Sequence, residues 1–594
     1  MMREYTTPGE VEVSHDENLT DALWEAAASN PTRPALAHRV GDRFVEWSTQ
    51  QFADEVAAVA KGLMALGVTK GDKVCLYSAT RIEWTVLDFA IWAAGGVTVP
   101  IYETSSAEQV EWIVSNSEAV ALVAESPELK AEYDAVADKL PQCEHVLVID
   151  DGALEDLKQR GSDISDDDVR ERASSVSGSD IATIVYTSGT TGRPKGCVIS
   201  HYNFVWDATQ VEVALPEFLR PGESTLLFLP LAHIFARVIQ TACIRSSVLL
   251  GFSTGVPQLL EELQMFKPTF LIAVPRVFEK VFNGAQQKAH AEGKGKIFDK
   301  AAAVAEEYSR QNRAGKVKLG TKLLHGVFDK LVYSKLRAAM GGNARVAVSG
   351  GAALGERLGH FFDGIGVPIL EGYGLTETTA GASINTPSAM RIGSIGRPVP
   401  GASARIDDDG EILLKGGHVF QGYYKNEEAT REAMEGEWYR TGDLGTLDGE
   451  GFLRITGRKK EILVTAGGKN VAPAVLEDRI RAHPIVSQAM VIGDGKPFIA
   501  ALITLDAESL PAWAEANDKP SSEVADLIDD EDVIAEVQSA IDEANKAVSK
   551  AESIRDFRIL PEDFEIGEAL TPTLKVKRNV VSEQYADVIE EIYS

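Results

Sequence analysis

A layered α/β fold divided into at least two domains is what this sequence predicts, and three observations carry the prediction. Strand-like runs such as Lys73-Val74-Cys75-Leu76-Tyr77 and Ala119-Val120-Ala121-Leu122-Val123 alternate with helical stretches such as 52–66, the pattern of βα units joined into mainly parallel sheets. At 594 residues, 44% of them hydrophobic, the chain is too long for one ordinary core and has apolar side chains enough for more than one. A β-branched run, Ile181-Ala182-Thr183-Ile184-Val185, leads directly into a stretch rich in glycine and hydroxyl groups, as a buried strand does when it delivers the chain to a ligand-facing loop.

Composition narrows the setting. Lys and Arg number 59 against 89 Asp and Glu, a formal charge of −30, which argues against nonspecific nucleic-acid binding and for high solubility. Cys75, Cys143, Cys197 and Cys243 are widely spaced and form no CxxC pair, so neither a disulfide framework nor a zinc site is expected, and a reducing cytoplasm fits. Met1-Met2-Arg3-Glu4-Tyr5 opens without the apolar core of a signal peptide. The longest apolar stretch, 226–239, is short and contains His233 and Arg237, so no membrane span is expected. Attachment to a membrane surface is compatible with all of this.

Along the chain, the segment 152–180 is rich in Asp, Ser and Arg, with Ser162-Asp163-Ile164-Ser165-Asp166-Asp167-Asp168 at its centre. It reads as a solvated connection rather than a metal site, because it offers no defined ligand spacing. Tyr186-Thr187-Ser188-Gly189-Thr190-Thr191-Gly192-Arg193-Pro194-Lys195-Gly196 follows. Its glycines let the backbone approach a ligand, and its amides with five hydroxyls, that of Tyr186 included, suit a polyphosphate. A Walker A loop ends in Gly-Lys-Ser/Thr opening a helix; here Pro194 precedes Lys195 and Gly196 follows it, so that motif is excluded.

The segment 283–337 departs from the acidic background with twelve Lys/Arg against five Asp/Glu. Ile297-Phe298, Ala301 and Val304-Ala305 recur at helical spacing, so a helical hairpin is expected, with either a plain solvated basic face or one that meets an anionic membrane. Val346-Ala347-Val348-Ser349-Gly350-Gly351-Ala352 reads as a strand entering a glycine turn. In Leu370-Glu371-Gly372-Tyr373-Gly374-Leu375-Thr376-Glu377-Thr378 an aromatic face suits a purine, a hydroxyl suits phosphate, and a carboxylate suits Mg²⁺, a hard cation that prefers oxygen. Trp438-Tyr439-Arg440-Thr441-Gly442-Asp443 and Ile455-Thr456-Gly457-Arg458-Lys459-Lys460-Glu461 supply a carboxylate fit for ribose hydroxyls and an arginine beside it. Read alone, Thr-Gly-Asp is equally an ordinary turn. Ala466-Gly467-Gly468-Lys469-Asn470-Val471 has the backbone freedom of a moving part. Leu570-Thr571-Pro572-Thr573-Leu574-Lys575-Val576-Lys577-Arg578 sets two lysines two apart, on one face if the stretch is a strand.

These stretches, in this order and over about residues 40–580, resemble the adenylate-forming superfamily of acyl-CoA synthetases, luciferases and adenylation domains, and within it the bacterial long-chain fatty acyl-CoA synthetases. The resemblance implies a large N-terminal AMP-binding domain of layered sheets and helices over 1–457, holding the ATP and acyl sites. It implies a small mobile α+β domain over 458–594, hinged at Lys460. ATP and CoA are the implied co-substrates, with Mg²⁺ on Glu377. Thr187, Ser188, Gly189, Thr190, Thr191, Gly192 and Lys195 then form the phosphate loop, and the backbone of Gly350, Gly351 and Ala352 lies along the adenine. Tyr373, next to Gly374, stacks on the base, Thr376 touches the α-phosphate, and Asp443 grips the ribose with help from Arg458. Gly467, Gly468 and Lys469 swing in to shape the thioester site. Lys575 is the implied catalytic lysine, with Leu574 where the family commonly has glycine and Lys577 as the alternative.

By the same resemblance His233, in Pro230-Leu231-Ala232-His233-Ile234-Phe235, lies near the acyl carboxylate, although a lone His in an apolar strand is otherwise a core residue. Phe278, in Val274-Pro275-Arg276-Val277-Phe278, is the candidate acyl gate. The implied reaction joins a long-chain fatty acid to CoA through an acyl-AMP, releasing diphosphate and then AMP, with the small domain rotating between steps. A fatty-acyl-AMP ligase that serves a carrier protein is the alternative. The expected setting is cytoplasmic or peripheral at the inner face of the membrane, with contact through 283–337, no nucleic-acid partner, and a monomer or homodimer.

Overall fold

The computed structural model describes residues 2–187, 193–565, 567–571 and 575–594. Ser188, Gly189, Thr190, Thr191, Gly192 and Leu574 lie outside the described residues. A seven-stranded sheet runs in the order Gly422–Tyr423, Lys195–Ser200, Ile181–Thr187, Val97–Ile101, Lys73–Tyr77, Ala121–Ala124, His145–Val148. From Ile181–Thr187 onward the neighbours are parallel, while Lys195–Ser200 and Gly422–Tyr423 are antiparallel. The break has a simple cause: a parallel return needs a crossover of a dozen or so residues, and only 188–194 separate the two strands that flank the phosphate loop.

A second sheet sets Leu271–Ala273, Ala347–Ser349 and Ile369–Tyr373 parallel, then adds Ser383–Ile384 and Arg397–Pro398 antiparallel. Beside it a six-stranded antiparallel sheet contains Trp438–Leu447 and Leu453–Arg458. From residue 463 on, Val486–Ile492, Ile499–Leu505 and Ile554–Ile559 form a three-stranded sheet backed by the helices Pro473–Arg481 and Glu531–Asn545. That end of the chain buries a core of its own, including Leu476, Ile480, Val491, Ile503 and Val537.

The segment 152–180 is not a solvated connection. It forms the helices Ala153–Arg160 and Asp166–Ser174, which bury Leu154, Leu157, Val169 and Ala173. The acidic run is a helix start: Ser165 and Asp168 cap one another reciprocally, and Asp166 to Asp168 occupy the first turn, where the helix dipole favours negative charge. The basic segment is helical as expected, in Pro275–Ala291, Gly295–Arg313 and Leu319–Phe328, the last running through a π-helical turn, Asp329–Tyr333, into Ser334–Ala339. Among the described residues no helix is long and apolar enough to cross a membrane.

Candidate functional site

The strand Ile369–Tyr373 ends at a turn that presents Thr376 and Glu377. Gly374 is required there, because an added Cβ would lie 1.7 Å from the Ala380 carbonyl oxygen. Thr379 and Ala380 follow at φ of 47° and 77°, a region costly for residues with a side chain. The turn is held from behind: buried Asp207 accepts the Gly381 N–H at 3.1 Å, and the Thr379 hydroxyl donates to the His418 carbonyl at 2.8 Å. Burial holds the Asp207 carboxyl well above the usual carboxylate range.

Glu377 Oε1 accepts the Tyr423 hydroxyl at 2.8 Å, and Lys195 Nζ lies 5.1 Å from the centre of the same ring. The strand pairing that sets Gly422–Tyr423 against Lys195–Ser200 thus brings Lys195 and Glu377 to one side chain. Sequence reading missed Tyr423, whose role exists only through that long-range pairing. It also overcounted hydroxyls, because Tyr186 turns away and donates to Asn116 Oδ1 at 2.6 Å. Thr187 Oγ1 stands 3.9 Å from Cys197 Sγ.

Asp443 is the second focus. It pairs with Arg458 across two antiparallel strands, accepting from Arg458 Nε at 3.0 Å on one oxygen and from the Tyr373 hydroxyl at 2.6 Å on the other. Thr441-Gly442-Asp443 is therefore no turn but part of the strand Trp438–Leu447. Past the strand Ala347–Ser349, Gly350, Gly351 at φ 85° and Ala352 lead out of the sheet. The Phe235 ring lies 3.3 Å from where a Cβ on Gly350 would be.

Lys575 reaches this group from the C-terminal end of the chain. Its backbone N–H donates to Thr571 Oγ1 at 3.0 Å, Thr571 N–H returns a bond to its carbonyl at 2.8 Å, and Leu570 bridges Val576. The side chain keeps access to solvent though protein surrounds it, as in an open cleft. Burial and then the Arg458 guanidinium push its ammonium below the usual lysine range, with Asp443, Glu461 and Glu377 pulling the other way. Lys577 is turned elsewhere, its Nζ donating to the Gly567 carbonyl at 2.7 Å. One isolated bridge makes no strand, so the two lysines share no face.

His233 is not in a strand. It caps the helix Ile234–Arg245, its Nδ1 accepting the Phe235 N–H at 3.2 Å. Burial and the nearby Lys575 lower it to about 4, so near neutral pH it is an uncharged imidazole with its proton on Nε2.

Lys195, Glu377, Tyr373, Asp443, Arg458, His233 and Lys575 thus fall in one neighbourhood, shared by Gly374 and Thr376 in the same turn, while Gly467, Gly468, Lys469 and Phe278 have other partners. Gly467, Gly468 and Lys469 form the tip of a hairpin whose recorded partners are Lys496, Asp494 and Glu552. Lys460 is exposed in the single turn Lys459–Glu461. Phe278 is 1% exposed, edge-on to Phe362 at 5.4 Å. Its helix also meets the C-terminal end, with Arg276 to Asp506 and Lys280 to Glu508 both at 2.8 Å. Thr376 is buried in the turn beside Glu377. Among the described residues no cluster of three or more His, Cys, Asp or Glu is arranged to hold a metal. A single carboxylate such as Glu377 fits a nucleotide-borne Mg²⁺, which takes one or two carboxylates and completes its shell with phosphate and water.

Glu371, on the strand that ends at Tyr373, is a buried acid that sequence reading did not single out. Burial pushes it up to about 7 from the ordinary 4.5, against an N–H from Leu354 at 3.1 Å. Unfolded chains release this proton near 4.5 while the folded protein keeps it to about 7, so stability is whole below the first value and falls as pH rises to the second, at about 1.4 kcal/mol per unit. Relative to Glu371→Gln, the wild type is expected to lose about 3 kcal/mol across that window. Urea unfolding of both proteins at about pH 5 and about pH 8 measures it, and parallel pH profiles would contradict it.

The AMP-binding enzyme family model matches residues 23–424, and that of the AMP-binding enzyme C-terminal domain matches 460–594. The long-chain-fatty-acid–CoA ligase FadD15 of Mycobacterium bovis is 50% identical over 599 residues, covering 100% of each chain. The long-chain-fatty-acid–CoA ligase ACSBG2 of Xenopus laevis is 33% identical, over 94% of this chain and 81% of that one. A solved fatty acyl CoA synthetase of Mycobacterium tuberculosis shares the fold, with TM-score 0.62 and 22% identity over 96% of this chain and 99% of that one.

Proposed function

Because the chain belongs to the AMP-binding enzyme family, we propose that it is a long-chain fatty acid–CoA ligase, forming acyl-CoA, AMP and diphosphate from fatty acid, ATP and CoA through an acyl-AMP. The observation that carries the reading is Lys575 set among Glu377, Asp443 and Arg458 with His233 beside it. A carboxylate is a poor electrophile, so activation comes first. One carboxylate oxygen attacks the α-phosphorus and the bond to diphosphate breaks. Lys575 offsets the charge where carboxylate and α-phosphate meet, Thr376 steadies the α-phosphate, and Lys195 with the phosphate loop holds the leaving group. Neutral His233 presents an Nε2 proton near the acyl carboxylate. Tyr373 and Asp443, fixed by their mutual hydrogen bond, hold base and ribose. Glu377 would hold Mg²⁺, which would supply charge neutralisation for the phosphates when bound.

In the second step the CoA thiol attacks the acyl carbonyl and AMP leaves. The domains are 1–457 and 458–594, with rotation about Lys460 withdrawing Lys575 and presenting Gly467, Gly468 and Lys469. The present geometry, with Lys575 in the cleft and that hairpin tip on its own domain, suits the adenylation step. Relatives of both vertebrate and bacterial origin named as long-chain-fatty-acid–CoA ligases support the substrate class, and they favour this reading over a fatty-acyl-AMP ligase. The setting is cytoplasmic, with peripheral membrane contact through 283–337.

Phe278 limits the acyl channel. Phe278→Leu is expected to change kcat/KM for the longest acids by about tenfold, roughly 1.4 kcal/mol, and to leave octanoate nearly unaffected. AMP release across acids of graded length tests the substrate class and the gate together. Wild-type turnover that peaks on acetate or aryl acids would refute the first, and a uniform effect of Phe278→Leu at every length would refute the second.

A further inference from the structure

The helix Leu319–Phe328 carries an apolar face that nothing among the described residues covers. Leu319 and Leu323, at 73% and 64% exposed, are the most exposed large hydrophobic side chains among the described residues, and Leu324, Val327 and Leu331 are 42%, 52% and 53% exposed. Leu319, Leu323, Val327 and Leu331 recur every four residues and share one side of the helix. Cβ atoms placed on Gly320 or Gly326 would meet nothing within 4 Å. The opposite side is fastened down. Thr321, Phe328 and Tyr333 are buried, the His325 ring stacks on Tyr308 at 3.8 Å, and His325 Nε2 lies 2.7 Å from the Gly364 carbonyl oxygen. The leucines therefore face outward on an anchored element, at a cost in water that a covering surface would remove.

Charge decides what covers it. Lys316, Lys318, Lys322, Lys330 and Lys335 are all exposed, and among the described residues none of them is in an ion pair. The one acid between 316 and 337, Asp329, is taken by Arg337 at 2.8 Å. This is a local inversion on a chain whose net charge is −30. A second copy laid face to face would set lysines against lysines. An anionic lipid surface offers hydrocarbon to the leucines and negative head groups to the lysines.

We infer that the segment 319–331 lies in the plane of an anionic lipid surface, with Leu319, Leu323, Val327 and Leu331 inserted among acyl chains and the lysines at head-group level. Insertion of the apolar stripe and attraction of the flanking lysines to anionic head groups carry the contact together. The buried side of this element belongs to the same apolar cluster as Phe278, through Phe298, Phe328 and Tyr333, so the lipid-facing helix backs onto the proposed acyl gate. The inference deepens the ligase reading and rests on it for that last connection alone.

The test is flotation of the full chain with vesicles of phosphatidylcholine alone or mixed with phosphatidylglycerol, without ATP, CoA or fatty acid, so that the ligase reading has no bearing on the readout. Wild type is expected to float with the anionic vesicles and not the neutral ones. Replacing Leu319, Leu323, Val327 and Leu331 by Ser is expected to lower partition at least about tenfold. Replacing Lys316, Lys318, Lys322 and Lys330 by Gln is expected to lower it by about a hundredfold or more and to remove its salt dependence. Both variants should keep wild-type melting temperatures and wild-type AMP release from dissolved octanoate, since every replaced side chain is exposed. Equal flotation of wild type and the serine variant, or equal binding to neutral vesicles, would overturn the inference. So would concentration-dependent dimerisation that the serine variant loses in the absence of vesicle binding, which would assign the face to a second copy.

Discussion

Lys575→Ala is expected to slow acyl-AMP formation by about 10²–10³-fold, the usual scale for removing one group that stabilises charge in the transition state. The ammonium stands among Arg458, Asp443, Glu461 and Glu377 with His233 nearby, where the fatty carboxylate and α-phosphate would meet. Both are anions, and their approach needs a cation between them. Arg458 does not substitute, because its Nε is committed to Asp443 at 3.0 Å. The thioester half-reaction, started from supplied acyl-AMP, is expected to fall by no more than about threefold, since the proposed rotation withdraws Lys575 before that step. Lys577→Ala should leave both steps close to wild type, its Nζ being tied to the Gly567 carbonyl. Equal loss of both half-reactions in Lys575→Ala would contradict the assignment.

Arg237→Leu is expected to cost about 3–5 kcal/mol of stability, the scale for leaving one partner of a buried ion pair alone. Arg237 and Asp88 are both 0% exposed. The guanidinium donates to both oxygens of Asp88, at 2.6 and 3.2 Å, and to Thr183 Oγ1 at 2.6 Å, enclosed by the rings of Trp84, Trp92 and Phe204. Burial outweighs even Arg237 in its pull on Asp88, whose carboxyl is raised above the usual range. In the variant Asp88 has no cation and binds a proton instead, so the deficit should shrink as pH falls and grow as pH rises. Arg237→Leu combined with Asp88→Leu is expected to recover most of the loss. Urea unfolding of the single and double variants decides it, and a loss in the double variant equal to the sum of the singles would contradict the pairing. The network also bears on the site. Arg237 lies one turn after His233, and Thr183 is on the strand that leads into the phosphate loop.

What was legible in the sequence was local. The β-branched run 181–185 and the glycine-containing stretches 350–352 and 372–374 became strand and turn because short-range sterics and burial decide such elements. Ser165 with Asp168 carried a capping signal that the acidic composition of 152–180 obscured, and apolar Leu154, Leu157 and Val169 at helical spacing gave the two helices a buried side. Thr441-Gly442-Asp443 was ambiguous by itself, because pairing with Leu453–Arg458 rather than any property of those three residues makes it strand. The same limit hid Tyr423, Glu371 and the Arg237–Asp88 pair, whose partners are distant in the chain. The net charge of 283–337 was readable, but the direction its leucines face was not, since that depends on which side of the helix His325, Phe328 and Tyr333 fasten down.

On the proposed mechanism one site makes acyl-AMP and then passes the acyl group to CoA. The direct measurement is simultaneous release of diphosphate and AMP from Mg-ATP and palmitate by the purified protein, with and without CoA. Diphosphate and AMP released in equal amounts over many turnovers, both requiring CoA and matched by acyl-CoA, is the expected result. Diphosphate release that stops after one turnover and is indifferent to CoA would contradict it and assign the protein to acyl-AMP formation alone.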